Sequence, residues 1–154
     1  MRWVTQDIEM FMKSKEYIDT AVIPLLPISF ADDMKNTACS HEFISMLSVQ
    51  VERQFHGRLL MLPSHTYLTS LGEEELVRNL SIWEEKLLSE GFKYIFYFTS
   101  DSLWKSHENQ LKGDVLWLPS LPLEQFDESQ RNSIMEDQVK QLVNLFMQKW
   151  QKED

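Results

Sequence analysis

The chain has 154 residues, of which 43% are hydrophobic and 12% aromatic, with four glycines and a formal charge of −9. That composition shows no bias toward disorder, and the length suits one domain over 1–154, able to bury about two thirds of its unfolded surface. The negative charge is spread along the chain and no run of Lys or Arg interleaves with aromatics, which excludes nucleic acid and anionic membrane surfaces as partners.

The apolar runs are far shorter than the ~20 residues that span a bilayer, and the first residues lack the cationic and apolar segments of a signal peptide, so a cytoplasmic protein is expected. Cys39 is the only cysteine, which rules out an internal disulfide and a cysteine-based metal motif. His41 lies two residues on, but that spacing does not orient a base, and Cys39 is read as non-catalytic.

In chain order, residues 5–15 suit a short helix with Thr5 as cap and Ile8, Phe11 and Met12 on one face. The apolar run over 21–28 suits the first core strand. Pro24 and Pro27 cannot donate to a ladder, so the strand is expected to be irregular near Pro24 or to lack a partner there. Residues 30–40 have little periodicity and are expected as a loop. A helix follows over 41–55, with Ser40 as N-cap and Ile44, Leu47, Val51 and Phe55 buried. Gly57 closes it ahead of a second strand over 58–63, and 64–71 is expected as a loop.

Ser70 to Glu73 has capping-box spacing, and three consecutive glutamates sit where a helix dipole favours negative charge. That helix runs to Glu90 on a stripe of Leu76, Val77, Leu80, Trp83, Leu87 and Leu88, then stops at Gly91 in left-handed geometry. The central stretch, Phe92-Lys93-Tyr94-Ile95-Phe96-Tyr97-Phe98-Thr99-Ser100-Asp101, reads as a strand buried on both faces that ends on a polar rim. Ser100 or Asp101 caps a short helix to about Gln110, 115–119 is the fourth strand, and Asp127-Glu128-Ser129-Gln130 opens a last helix. On that helix Met135, Val139, Leu142, Phe146 and Trp150 recur at helical spacing.

Alternating strands and helices give a three-layer, Rossmann-like α/β arrangement. Its core is a mainly parallel four-stranded sheet of order 2-1-3-4 with helices on both faces. The four strand ends then face one way. Ser29, Ser64, Thr99, Ser100 and Ser120 would ring one crevice, framed by Asp32, Asp33, His65, Thr66, Tyr67, Asp101 and His107. The candidate ligand-binding set is Ser29, Asp32, Asp33, Ser64, His65, Thr99, Ser100, Asp101 and Ser120; the catalytic residues are unassigned. Ser, Thr and Asp are also the ordinary first residues of loops and helix caps, so each has a purely structural reading.

No glycine follows a predicted strand, which excludes the usual phosphate-cradling turns, and no G-x-S-x-G elbow is present. Asp32, Asp33, Asp101, His65 and His107 are suitable ligand types without metal-ligand spacing, so no metal ligands and no cofactor are assigned.

The stretch Lys15-Glu16-Tyr17-Ile18-Asp19-Thr20-Ala21, with Ile23-Pro24-Leu25-Leu26-Pro27-Ile28 and Gly57-Arg58-Leu59-Leu60-Met61-Leu62-Pro63, resembles the YpiF-like proteins of Bacillus and its relatives over essentially the full chain. That family is a domain of unknown function, so the resemblance implies a cytosolic bacterial protein and transfers no catalytic residue. The element layout is also similar to the start of the creatinine amidohydrolase family. That family carries Glu-Gln-His-Gly after its first strand and Asn-Gly-His-Gly-Gly-Asn after its third. Here those places hold Ser29-Phe30-Ala31-Asp32-Asp33 and Thr99-Ser100-Asp101-Ser102, which implies at most a metal-free relative.

The function expected from the sequence is a non-enzymatic domain that binds a protein partner or a small molecule at the strand-end rim. The alternative is a small, metal-dependent, degenerate amidohydrolase-like hydrolase using Asp32, Asp33, His65 and Asp101.

Overall fold

The computed structural model describes residues 1–153; Asp154, the last residue of the expected domain, lies outside them. Five strands, β1 (Thr20–Ile28), β2 (Leu59–Met61), β3 (His65–Leu68), β4 (Tyr94–Thr99) and β5 (Asp114–Trp117), form one sheet whose strand pairings are all parallel. Its order is β2-β1-β4-β5 with β3 also paired to β1, the expected order with one strand added. The helices are α1 (Thr5–Lys13), α2 (Met34–Gln54), α3 (Glu73–Ser89), α4 (Leu103–Ser106) and α5 (Glu128–Glu153).

The central strands send alternate side chains to opposite faces, and both faces are apolar because both are covered. Ala21, Ile23, Leu25, Ile95 and Tyr97 pack with residues of α3 and α4, including Leu76, Leu80 and Trp104. Val22, Leu26, Tyr94, Phe96 and Phe98 pack with Phe43, Leu47, Leu142 and Phe146 of α2 and α5. Phe146 has ring contacts with Phe55, Phe96, Phe98 and Trp150 at 4.3–6.0 Å between centroids, so one fully buried ring ties α5 to the sheet.

The prolines shape the β1 edge as expected. On one side β1 keeps a continuous partner, with Pro24 in register with Phe98 of β4. On the other, residues 20–22 pair with β2 and residues 25–28 pair with β3. The change of partner falls at Ile23-Pro24, opposite Leu62-Pro63-Ser64, where neither proline has an N–H to give.

Several helix boundaries match the sequence. Gly91 has a φ of 100°, and the Phe92 N–H reaches back to the Leu87 carbonyl at 3.2 Å, which closes α3. Asp127 and Gln130 cap α5 reciprocally, at 2.8 and 3.0 Å.

Other expectations are corrected. Residues 34–40 are the first two turns of α2 rather than loop, because the buried stripe Phe43, Ile44, Leu47 and Val51 is continued backward by Thr37 and Ser40, small enough to pack as apolar residues do. Residues 65–68 are strand, since they supply ladder partners to the second half of β1. Thr5 is the first residue of α1 and not its cap, Met12 is exposed, and the residue that α1 buries is Asp7. Gly72 occupies the N-cap of α3 with no side-chain cap bond. On α3, Trp83 and Leu88 face outward and Glu84 takes the buried position, because its carboxylate finds three donors inside. The helix expected to reach Gln110 ends at Ser106 and is followed by a short 3-10 turn over Glu108–Gln110.

Candidate functional site: a polar crevice at the strand ends

The chain leaves β1 towards β2 and leaves β4 towards β5, in opposite directions along the sheet, so the carboxyl ends of β1 and β4 form the switch point where doubly wound sheets open a crevice. A cavity of about 190 Å³ lies there, lined by Pro27, Asp33, Asn36, Thr37, Ser40, Thr69, Ser100, Asp101 and Ser120. It brings together four of the candidate residues read from sequence, Asp33, Ser100, Asp101 and Ser120.

Each wall is held from below. Asp33, just before α2, accepts a short hydrogen bond from Ser29 Oγ, and the same oxygen accepts the Ala31 N–H at 3.2 Å, so the turn from β1 into α2 is closed by its own side chains. Thr99 is fully buried, and its Oγ1 accepts the Asp101 N–H at 3.0 Å. Asp101 accepts the Leu103 N–H on Oδ1 at 3.1 Å and the Tyr67 hydroxyl on Oδ2 at 2.6 Å. Trp104 Nε1 donates to that hydroxyl at 2.9 Å, so a buried indole, a phenol and a carboxylate form one chain that fixes the Asp101 side chain at the crevice. Burial, then the hydrogen bond to Asp101, pushes the Tyr67 hydroxyl far above its ordinary pKa, so it stays a donor.

The upper wall is less complete. Ser40 is 5% exposed and lies on the inner side of α2, and its Oγ has no hydrogen-bond partner. Ser100 Oγ, at the end of β4, is buried in the same state. Thr37 Oγ1, by contrast, donates to the Met34 carbonyl at 2.8 Å.

The other candidates fall outside the cavity wall. Ser29 and Thr99 act through Asp33 and Asp101, as described. Asp32 and Ser64 are exposed. His65, on β3, stacks at 6.2 Å from Tyr67, and burial lowers its pKa below the usual 6.5. His107 pairs with Glu73 at 2.9 Å, away from the cavity residues. Asn36, Thr37, Ser40 and Thr69 line the cavity and were missed. A signal for Thr37 and Ser40 was present, since they precede Phe43 and Ile44 at helical spacing.

Asp32, Asp33, His65 and Asp101 do not form a metal-ligand group. Among the described residues the one such group is Asp7, Glu52 and His56, whose ligand atoms lie within 4.8 Å of one another. All three already have partners. Arg2 donates to Asp7 through N and Nε at 2.7 and 3.3 Å, His56 contacts Glu52 at 2.7 Å, and the Met1 ammonium lies 3.6 Å from Glu52. Wider grooves run along α2 and α5, of about 610 and 530 Å³, and share no residue with the crevice.

Fold and crevice together define a doubly wound α/β domain with a polar cavity at its switch point. The chain belongs to a family described as protein of unknown function (DUF2487), whose model matches residues 9–150. It is similar to the uncharacterized protein YpiF of Bacillus subtilis (strain 168), with 34% identity over 150 residues, covering 97% of this chain and 98% of that protein. The chain matches no solved structure. No helix among the described residues is long and apolar enough to cross a membrane.

Proposed function

We propose that the protein is a cytoplasmic, non-catalytic binding domain that takes a small polar molecule in the crevice between α2 and the ends of β1 and β4. The observation that carries this reading is the cavity at the switch point of the sheet, whose lining includes Ser40 and Ser100, two residues with buried hydroxyls that have no partner. A buried hydroxyl left unmatched costs about 1–3 kcal/mol, a cost that is offset when the side chain turns towards a ligand bound in the crevice. Neither hydroxyl is hydrogen-bonded to a base, so nothing activates it as a nucleophile, which favours binding over hydrolysis. The single cysteine, unpaired, suits a reducing compartment.

A thermal-shift screen of small polar molecules against the wild type and Ser40→Val tests this. A ligand at about a hundred times its dissociation constant adds ~2.7 kcal/mol and raises the midpoint by several degrees. The reading expects at least one compound that stabilises the wild type and fails to stabilise Ser40→Val. Compounds that shift both proteins equally, or none that shifts the wild type, would contradict it.

A further inference from the structure

α2 and α5 lie over the same face of the sheet and run the same way, with Glu42 and Arg131 at one end of the valley between them and Gln54 and Asn144 at the other. The valley holds two cavities, of about 530 and 610 Å³, that share Met46 and Gln50 and so form one trough. It has no residue in common with the crevice, and what it binds goes beyond the crevice ligand. Ser45, Met46, Val49 and Leu123 line the first section, where Met46 is 39% and Val49 50% exposed, two large apolar side chains on one stripe of α2. Val139 and Val143 of α5 carry the apolar floor into the second. The stretch of α5 from Glu128 to Asn144 measures about 25 Å, the length of a helix of roughly four to five turns.

The rim of the trough is acidic. Glu42, Glu124 and Glu136 border its two sections, and Asp127 and Glu128 border a further hollow that shares Asn132 and Glu136 with it; Arg131 and Lys140 are the bases. Of these five acids only Glu124 has an ion-pair partner among the described residues, Lys35 at 3.3 Å. Both members of that pair are exposed, and the other four carboxylates are left for a partner's cations.

We infer that the trough receives an amphipathic helix of another protein, antiparallel to α2 and α5, with its apolar face on Met46, Val49 and Leu123 and Lys or Arg of its last turn against Glu42, Glu124 and Glu128. A valley between two packed helices is where a third lies when three pack together, and an apolar stripe with a charged rim is what such a helix recognises. The orientation follows from charge. The acids gather at the amino end of α5, cations are favoured in the last turn of a helix, and a carboxyl end set against an amino end aligns the two dipoles favourably. A second copy of this chain is a poorer occupant, since each copy carries a formal charge of −9, and the same charge disfavours anionic lipid and nucleic acid.

The test is fluorescence anisotropy with labelled helical peptides of about 18 residues, long enough to span the trough, each with one leucine face on a background of Ala and Gln. The first has a Lys-rich last turn, the second a Lys-rich first turn and the third a Glu-rich last turn. The first should bind saturably, roughly tenfold more tightly than the second, and Glu42→Gln should weaken it several-fold. Met46→Gln combined with Val49→Gln, both at exposed positions, should abolish the binding. Ile82→Gln combined with Trp83→Gln, on the exposed side of α3 across the sheet, should leave it unchanged. Equal losses in the two paired variants, or no loss in the trough variant, would reveal charge attraction without a groove and overturn the inference. Tighter binding of the Glu-rich peptide, or no binding of any peptide, would overturn it as well, and equal affinity for the two Lys-rich peptides would overturn the orientation. Sedimentation equilibrium of the protein alone supplies the last arm: a dimer that dissociates on Met46→Gln with Val49→Gln would assign the trough to a second copy instead.

Discussion

Glu84 and Ser40 are buried to nearly the same degree, 2% and 5% exposed, on helices that cover opposite faces of one sheet, yet the protein treats them differently. Around Glu84 every polar requirement is met from within. Its carboxylate accepts the Tyr97 hydroxyl at 2.8 Å, the Gly113 N–H at 2.7 Å and the Lys112 N–H at 3.1 Å, and so clamps the turn that leads into β5. A Cβ on Gly113 would come within 2.7 Å of the Tyr97 ring, so the backbone approaches as closely as it does only because that residue is glycine. Around Ser40 the requirement is left open, in a cavity, at the switch point. A polar group that is fully matched serves the fold; one left unmatched beside a crevice is, on the proposed binding role, stability set aside for something that binds.

That contrast can be broken at the clamp first, where the largest effect is expected. Glu84→Ala leaves a phenol and two amide N–H groups buried without an acceptor and should lower the unfolding free energy by about 4 kcal/mol in urea denaturation. Glu84→Gln, which keeps one acceptor oxygen, should cost clearly less. A loss below about 1 kcal/mol for Glu84→Ala would show that water replaces the carboxylate and that the clamp is not closed.

Next comes the chain that fixes Asp101. Tyr67→Phe removes the donor to Asp101 and the acceptor for Trp104 Nε1, and should cost about 2 kcal/mol while also weakening any ligand that uses Asp101. Equal binding by wild type and Tyr67→Phe would separate Asp101 from the site.

A smaller effect follows from His65. Burial holds its folded-state pKa below the unfolded value of 6.5, so the unfolded chain takes up the proton first as pH falls. Its contribution is present above pH 6.5 and is lost between 6.5 and the lower folded value. The urea midpoint should drop over that window in the wild type and less in His65→Gln. Parallel pH profiles for the two proteins would assign the acid limb to other groups.

Most of the fold could be read from residue patterns because burial on both faces writes unbroken apolar runs, as in β4, and because a glycine stop and a reciprocal cap mark the ends of α3 and α5. The elements that escaped are those whose pattern is set by partners distant in sequence. Residues 65–68 become strand only because β1 needs a second partner past its prolines. The first turns of α2 bury Thr37 and Ser40, residues that read as loop in isolation. Glu84 is the extreme case, since a buried carboxylate is explained only by donors that sit 13, 28 and 29 positions away. The rim of the crevice was legible where strands end, at Asp33, Ser100, Asp101 and Ser120, and only faintly marked on α2, by the helical spacing of Thr37 and Ser40, because the wall there depends on where that helix begins.

The comparison is sharpest on α2 itself. Ser40 and Ser48 are both buried in the same helix, but Ser48 Oγ donates to the Ile44 carbonyl at 2.7 Å while Ser40 Oγ has no partner. Replacing either by alanine brings the same gain in helix propensity, so the difference between them isolates the state of the hydroxyl. Urea denaturation of Ser40→Ala and Ser48→Ala is therefore the most direct measurement. Ser40→Ala is expected to raise the unfolding free energy by about 1 kcal/mol and Ser48→Ala to lower it. Losses of equal size in the two variants would mean that the Ser40 hydroxyl is matched within the protein, and would contradict the claim that the crevice is kept open for a ligand.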